Sequence, residues 1–199
     1  MALLTQTLGR RMPAVRLSRL LRAACAGLWL SLSAPGVRAV PAADEAAVKA
    51  ALLYNLTQFV DWPPSSFRTP YDPVIIGILG PDPFDDYLDQ LVRPVGAGSR
   101  RVVVMRFRDA RAARQAHVLF IHASQREHLQ AIFATLEGRA VLTVADFDGF
   151  LRRGGIVRFY RNAENKIRVR INLEAARAAG LTISAKLLRV VEIVPPEEE

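Results

Sequence analysis

Cysteine is nearly missing from these 199 residues: there is one, Cys25, and it lies in a leader-like stretch near the amino terminus. No disulfide can staple the remainder, which has to be held by its apolar core alone. Histidine is almost as scarce. His117, His122 and His128 are the only three. None pairs at the i, i+4 spacing of a helical zinc site, and Glu127-His128 completes neither H-x-x-E-H nor H-E-x-x-H. Structural or solvent-facing histidines are the expectation, with no metal and no cofactor. A G-x-S-x-G elbow is missing too, so no serine is presented as a hydrolase nucleophile, and Ser124 reads as a helix N-cap. With none of these, no catalytic constellation assembles and the chain reads as a non-enzyme. Beyond the leader no apolar run approaches about 18 residues, so the exported product is expected to be soluble.

The first 39 residues read as a secretory signal peptide. Arg10, Arg11, Arg16, Arg19 and Arg22 form a basic leader, and a short apolar run follows from Ala23 to Leu32. Pro35 and Gly36 break it, and Val37-Arg38-Ala39 offers the small residues of a cleavage site. The context of Arg10-Arg11 fits twin-arginine export poorly, and Cys25 precedes most of the apolar run, which argues against lipidation. Cleavage near Ala39 would leave residues 40–199 as a single domain. Six of the 27 Lys+Arg and none of the 19 Asp+Glu lie in the leader, so the remainder carries 21 basic against 19 acidic residues, or +2. The basic character of the whole chain is thus a property of the leader, and a nucleic-acid partner loses its support.

Hydrophobic periodicity predicts a helix from Asp44 or Glu45 to about Val60, with Val48, Leu52, Leu56 and Phe59/Val60 on its buried face. Pro63 and Pro64 stop it. The run Pro73–Gly80 has the near-continuous apolar character of a strand buried on both faces. A helix should open at Asp82-Pro83 and run to about Val92. A strand is expected at Arg101–Arg108, then a short helix from Asp109, a strand at His117–His122 and a helix from Ser124 to Glu137. A strand at Val141–Val144 comes next. Ile156–Tyr160 and Lys166–Asn172 alternate about RNAEN and read as a hairpin. A small helix, Leu173–Ala179, ends at Gly180, and Ser184–Val191 is ambiguous between helix and strand. Strands alternating with helices imply an α/β fold: a three-layer α/β/α sandwich with a mostly parallel sheet and a C-terminal antiparallel hairpin.

Three patterns bear on binding. Asp82, Asp85, Asp86 and Asp89 recur at helical spacing just after a buried strand, where parallel sheets hold ligands, although carboxylates in a first helical turn ordinarily face water. Arg106 and Arg108, Arg158, and Arg168 and Arg170 alternate with apolar residues. In register they would form a basic ribbon on one sheet face, with Arg158, Arg168 and Arg170 the candidate contacts for an anionic ligand. A solvated face paired with Asp and Glu is the ordinary alternative. Asn55, set among leucines, and Asn172 read as buried amides that satisfy backbone groups.

Several segments in order resemble the YfiR family of bacterial periplasmic proteins: KAALLYNLTQFVDWP (49–63), IGILGPDPFDDYL (76–88), AHVLFIHAS (116–124), VLTVADFDGF (141–150) and GGIVRFYRNAENKIRVRINLEAARAAGLTISAKLLRVVEIV (154–194). The last, with its RINLEAARAAGLTISAKLL core, is the most specific. The resemblance implies a periplasmic, non-enzymatic regulator built as a homodimer-forming α/β sandwich. The namesake holds an inner-membrane diguanylate cyclase inactive through its periplasmic domain, limiting cyclic di-GMP and biofilm formation. Its redox-linked cysteines have no counterpart here, so redox control does not carry over. The partner so implied is the periplasmic domain of a membrane signalling protein. Phe59, Trp62 and Phe67, at the end of the first helix, are the candidate anchors for it, with Trp62 either such an anchor or a plug in the core. The alternative is a sensor of small molecules or peptidoglycan fragments, acting with a histidine kinase or an outer-membrane receptor. Its pocket would lie by the arginines or the Gly80–Phe84 loop.

Overall fold

The computed structural model describes residues 42–92 and 100–195, with side chains from residue 45 onward. The signal peptide expected at residues 1–39 and the last four residues lie outside the described residues. Helix α1 (Ala42–Phe59) leads into a two-residue strand, β1 (Val60–Asp61), and a 3-10 turn at Pro64–Ser66. Strands β2 (Val74–Leu79), β3 (Val102–Phe107), β4 (Val118–Ile121) and β5 (Leu142–Ala145) follow, with helices α2 (Tyr87–Leu91) after β2 and α3 (Leu129–Leu136) after β4. The chain closes with β6 (Val157–Arg161), β7 (Ile167–Ile171), α4 (Leu173–Ala178), β8 (Thr182–Ile183), α5 (Ala185–Leu188) and β9 (Glu192–Ile193).

Seven strands form one sheet in the order β3-β2-β4-β5-β6-β7-β9. Every neighbouring pair is parallel except the β6–β7 hairpin, as expected from the sequence. β1 and β8 pair separately and antiparallel, tying the end of α1 to the C-terminal region. Because side chains alternate along a strand, the sheet splits its apolar residues between two cores. Ile76, Ile78, Val118, Phe120, Leu142, Val144 and Val157 pack with Leu53 and Leu56 of α1, Leu88 of α2 and Ala176 of α4. Leu79, Leu119, Ile121 and Ala145 pack with Leu129, Ile132 and Leu136 of α3 and with Phe147 and Phe150. The predicted three-layer α/β arrangement is the observed one.

Tertiary context shifts the local expectations. The buried stripe of α1 runs through Ala46, Ala50, Leu53, Thr57 and Val60, with Leu56 beside it, while Val48 is 45% exposed. The helix has rotated so that small alanines meet the sheet. Asn55, two residues and therefore more than half a turn from Leu53, is exposed and not a buried amide. The helix expected at Asp82 starts only at Tyr87. Asp82 instead accepts the Phe84 N–H at 2.8 Å, and Asp85 sits at φ 48°, so 82–86 is a turn. Ser124 is not the cap expected: the imidazole of His122 accepts the Ser124 N–H at 3.1 Å and opens a 3-10 segment, Ala123–His128, ahead of α3. The ambiguous 184–191 stretch is one turn of helix, capped by Ser184, leading to β9. Asn172 is the buried amide expected. It is 3% exposed, caps α4 by accepting the Ala175 N–H at 2.9 Å, and its own N–H faces the Leu151 carbonyl at 3.5 Å.

Candidate functional site

At the amino-terminal edge of the parallel sheet, the aromatic residues after α1 converge on His117. The two prolines force the chain out of the helix and carry Trp62 and Phe67 back over the start of β4. Phe67 stacks on the imidazole at 4.5 Å with a 13° interplanar angle, and Trp62 meets it edge-on at 6.0 Å. The Trp62 indole N–H donates to the His117 carbonyl at 3.2 Å, and the Arg100 guanidinium lies 3.9 Å from the outer face of Phe67. Nδ1 of His117 accepts the Ile75 N–H at 3.1 Å, which leaves Nε2 as the donor to the Ser66 carbonyl, 3.3 Å away. Burial holds this imidazole below its usual pKa, and the positive charges of Arg100 and Arg139 add to the effect.

The proposed anchors are therefore not free aromatic side chains. Phe59, Trp62 and Phe67 are each half-buried and packed on the first core. The inner face of the Trp62 ring packs against the first core and its N–H is donated to the His117 carbonyl. His117 is expected from the sequence only as a structural or solvent-facing histidine, and its place as a hub carries no motif. The one signal for it in the sequence is its position directly before the apolar run of β4.

The arginines do not form one ribbon. Arg106 pairs in register with Ile78 and so lies on the α1 face of β3, whereas Arg158 and Arg170 oppose each other on the far face of β6 and β7, with Arg168 opposite Tyr160. Three strands separate the two groups. Arg106 is neutralised by Asp82 at 2.8 Å and Asp89 at 2.5 Å, so two members of the acidic row and one arginine satisfy each other. On the far face, α3 covers β4 and β5 and leaves β6 and β7 with polar residues. Arg158 is 9% exposed and ion-paired with Asp148. Arg170 lies 3.1 Å from Glu192 and 4.1 Å over the Tyr160 ring, whose hydroxyl donates to Glu192 at 2.6 Å. The hydrogen bonds from Arg170 and Tyr160 hold the Glu192 carboxyl below its usual range. Arg168 alone of the three is exposed and makes no ion pair among the described residues. It borders a cavity of about 330 Å³ with Glu45, Val48 and Arg161.

The Gly80 loop, at the carboxyl ends of the strands, is closely packed. Gly80 has φ +100°, and a β-carbon there would lie 3.0 Å from the His122 β-carbon and 3.1 Å from Ser124 Oγ. Ser124 Oγ is 3.0 Å from His122 Nδ1, but that nitrogen already accepts the Ser124 N–H, an N-cap contact within one turn. Among the described residues, no cluster of three His, Cys, Asp or Glu side chains is placed to hold a metal ion, and no helix is long and apolar enough to cross a membrane.

Comparison with known proteins separates fold from lineage. No curated protein matches the chain. Among solved structures, the ABC domain in complex with L-Trp from Streptococcus pneumonia is similar at a TM-score of 0.50 and 11% identity, over 75% of this chain and 60% of that one. A conserved domain protein from Vibrio cholerae has a TM-score of 0.49 and 12% identity, over 74% of this chain and 59% of that one. The chain thus spans about three fifths of the length of these structures, and at such identity the first likeness bears on the α/β fold alone. The profile of the YfiR/HmsC-like family, DUF4154, matches residues 46–192, nearly all of the described fold. The chain therefore belongs to the YfiR/HmsC-like family, whose members act at the family level as periplasmic regulators of cyclic di-GMP signalling.

Proposed function

We propose that residues 1–39 export the chain and that the domain 40–199 docks, without catalysis, on the periplasmic domain of an inner-membrane signalling protein. The favoured partner is a diguanylate cyclase held inactive, so that cyclic di-GMP and biofilm formation are repressed. The observation that carries this reading is the family match across residues 46–192. A regulator of this kind must bind one state of its partner more tightly than the other, since equal affinity shifts nothing. The docking surface is assigned to the solvent-facing edges of Phe59, Trp62 and Phe67, half-buried aromatics whose inner faces are already fixed by packing and so lose little entropy on contact. A homodimer is the expected form, checked by sedimentation of the purified domain. Deleting the gene should raise intracellular cyclic di-GMP and surface attachment. An unchanged nucleotide level would overturn the repressor reading.

One observation favours a second reading. Arg168 is exposed, makes no ion pair among the described residues and lies beside a cavity, while Arg158 and Arg170 are held by Asp148 and Glu192. A sensor of small molecules or peptidoglycan fragments, acting with a histidine kinase or outer-membrane receptor, would use Arg168 for first contact. A melting shift with muropeptides that is lost in Arg168→Gln supports it. A flat response across muropeptides and amino acids removes it.

A further inference from the structure

Behind the His117 stack, at the edge of the sheet opposite the Gly80 loop, lies a cavity of about 430 Å³ lined by Ser65, Ser66, Arg114, His117, Arg139 and Gly180 among others. Its volume is that of a small-molecule site. Its lining contains two arginines and, among the described residues, no Asp or Glu. Elsewhere Arg106, Arg161 and Arg170 are each spent on a carboxylate. Arg114 and Arg139 make no ion pair among the described residues, and the hydroxyls of Ser65 and Ser66 are likewise without a hydrogen-bond partner. His117 contributes no charge: in its neutral form both ring nitrogens are engaged, by Ile75 and by Ser66. The wall facing the arginines is the carboxyl end of α4, Ala178–Gly180. The carbonyls of Ala175, Ala176 and Arg177 are taken by the N–H groups of Ala179, Leu181 and Gly180, whereas those of Ala178, Ala179 and Gly180 accept no backbone hydrogen bond among the described residues, so that wall offers acceptors and repels bare negative charge.

We infer that this cavity binds a small solute bearing an acid group and hydroxyls, a hydroxy-carboxylate or a polyol phosphate. The acid group sits between Arg114 and Arg139, which offer charge-assisted hydrogen bonds to either acid, with the Ser65 and Ser66 hydroxyls beside it. The solute hydroxyls point toward the α4 carbonyls. Neutral polyols lack the first contact and simple anions the second. The site is separate from the Arg168 cavity and from the outer edges of the aromatic residues, and it stands whether or not the chain represses a cyclase.

Calorimetry with citrate, glycerol phosphate and glycerol on the purified chain tests this at low ionic strength. Citrate or glycerol phosphate should bind saturably and glycerol should not. Binding by both confirms the shared chemistry, and binding by one alone names the acid. R114Q/R139Q should weaken binding by at least about tenfold, the scale of one lost charge-assisted hydrogen bond, while R168Q leaves it unchanged. If the double variant does not fold, Arg114→Gln alone, at an exposed residue with no ion pair among the described residues, carries the same comparison. The assignment is overturned if neither acid binds below about 10 mM, a free energy weaker than specific recognition requires. It is equally overturned if binding survives the loss of the arginines.

Discussion

At the scale of single residues, two asparagines drawn from similar apolar surroundings have opposite fates. Asn172→Ala should cost about 1–2 kcal/mol, because it removes a helix cap and leaves buried backbone groups unpaired. Asn55→Ala, on the solvent face of α1, should change stability by less than about 0.5 kcal/mol. Urea unfolding of both variants checks the contrast. Asn172 was legible because it directly precedes a helical run, as a cap does. Asn55 was misread because the phase of α1 is set by which side chains fit the sheet, and that phase is absent from the helix's own pattern. His117 makes a third prediction. Its folded pKa lies below the ordinary 6.5, so the unfolded chain takes up a proton that the folded one refuses. Stability from this group is full above about pH 6.5, falls as pH drops below that value, and levels off once pH passes the folded pKa. The slope in this window is at most about 1.4 kcal/mol per pH unit. His117→Asn, which keeps an acceptor for the Ile75 N–H, should flatten the fall between pH 6.5 and 5 in denaturant titrations.

Elements show where local pattern and tertiary packing part. Continuous apolar runs identified β2 and β4 correctly, since a strand buried on both faces needs little beyond that. Their close packing rests on Gly77 in β2. A β-carbon there would approach the Phe107 ring at 2.6 Å and Ala116 Cβ at 2.9 Å. Gly77→Ala should therefore destabilise by about 1–3 kcal/mol, the range of overpacked cores, seen as a lower midpoint in urea with an unchanged slope. At the end of α1, Trp62→Ala should cost about 2–3 kcal/mol, less than a fully buried tryptophan, because its ring is only partly buried. Loss of partner binding in that variant at unchanged stability would instead make Trp62 a surface anchor. The acidic row after β2 was legible as spacing but not as structure. Its helix starts late because Asp82 caps a turn at Phe84 and Asp85 takes a positive φ, while the Arg106 partner of Asp82 and Asp89 on β3 cannot be inferred from a window of ten residues.

Across the whole molecule, two cores share one sheet, so loss of either exposes the other face of the same strands. Unfolding of residues 40–199 should be a single cooperative transition. Trp62 is the only tryptophan in residues 40–199, and its fluorescence midpoint should coincide with that of far-UV circular dichroism. Separated midpoints would show that the first core melts alone. Strand and helix content, the parallel sheet, the hairpin and the family were determined by the sequence itself, because each rests on periodicity, turn residues or an ordered run of motifs along the chain. The rotation of α1, the packing of Trp62 and Phe67 around His117, and the separation of the arginines onto opposite faces were decided only by the tertiary structure. So was the gathering of Arg114, Arg139 and two serines about one cavity. These depend on strand order and sheet face, where a shift of one residue or one neighbouring strand moves a charge from solvent to core, and contacts between distant segments leave no local trace.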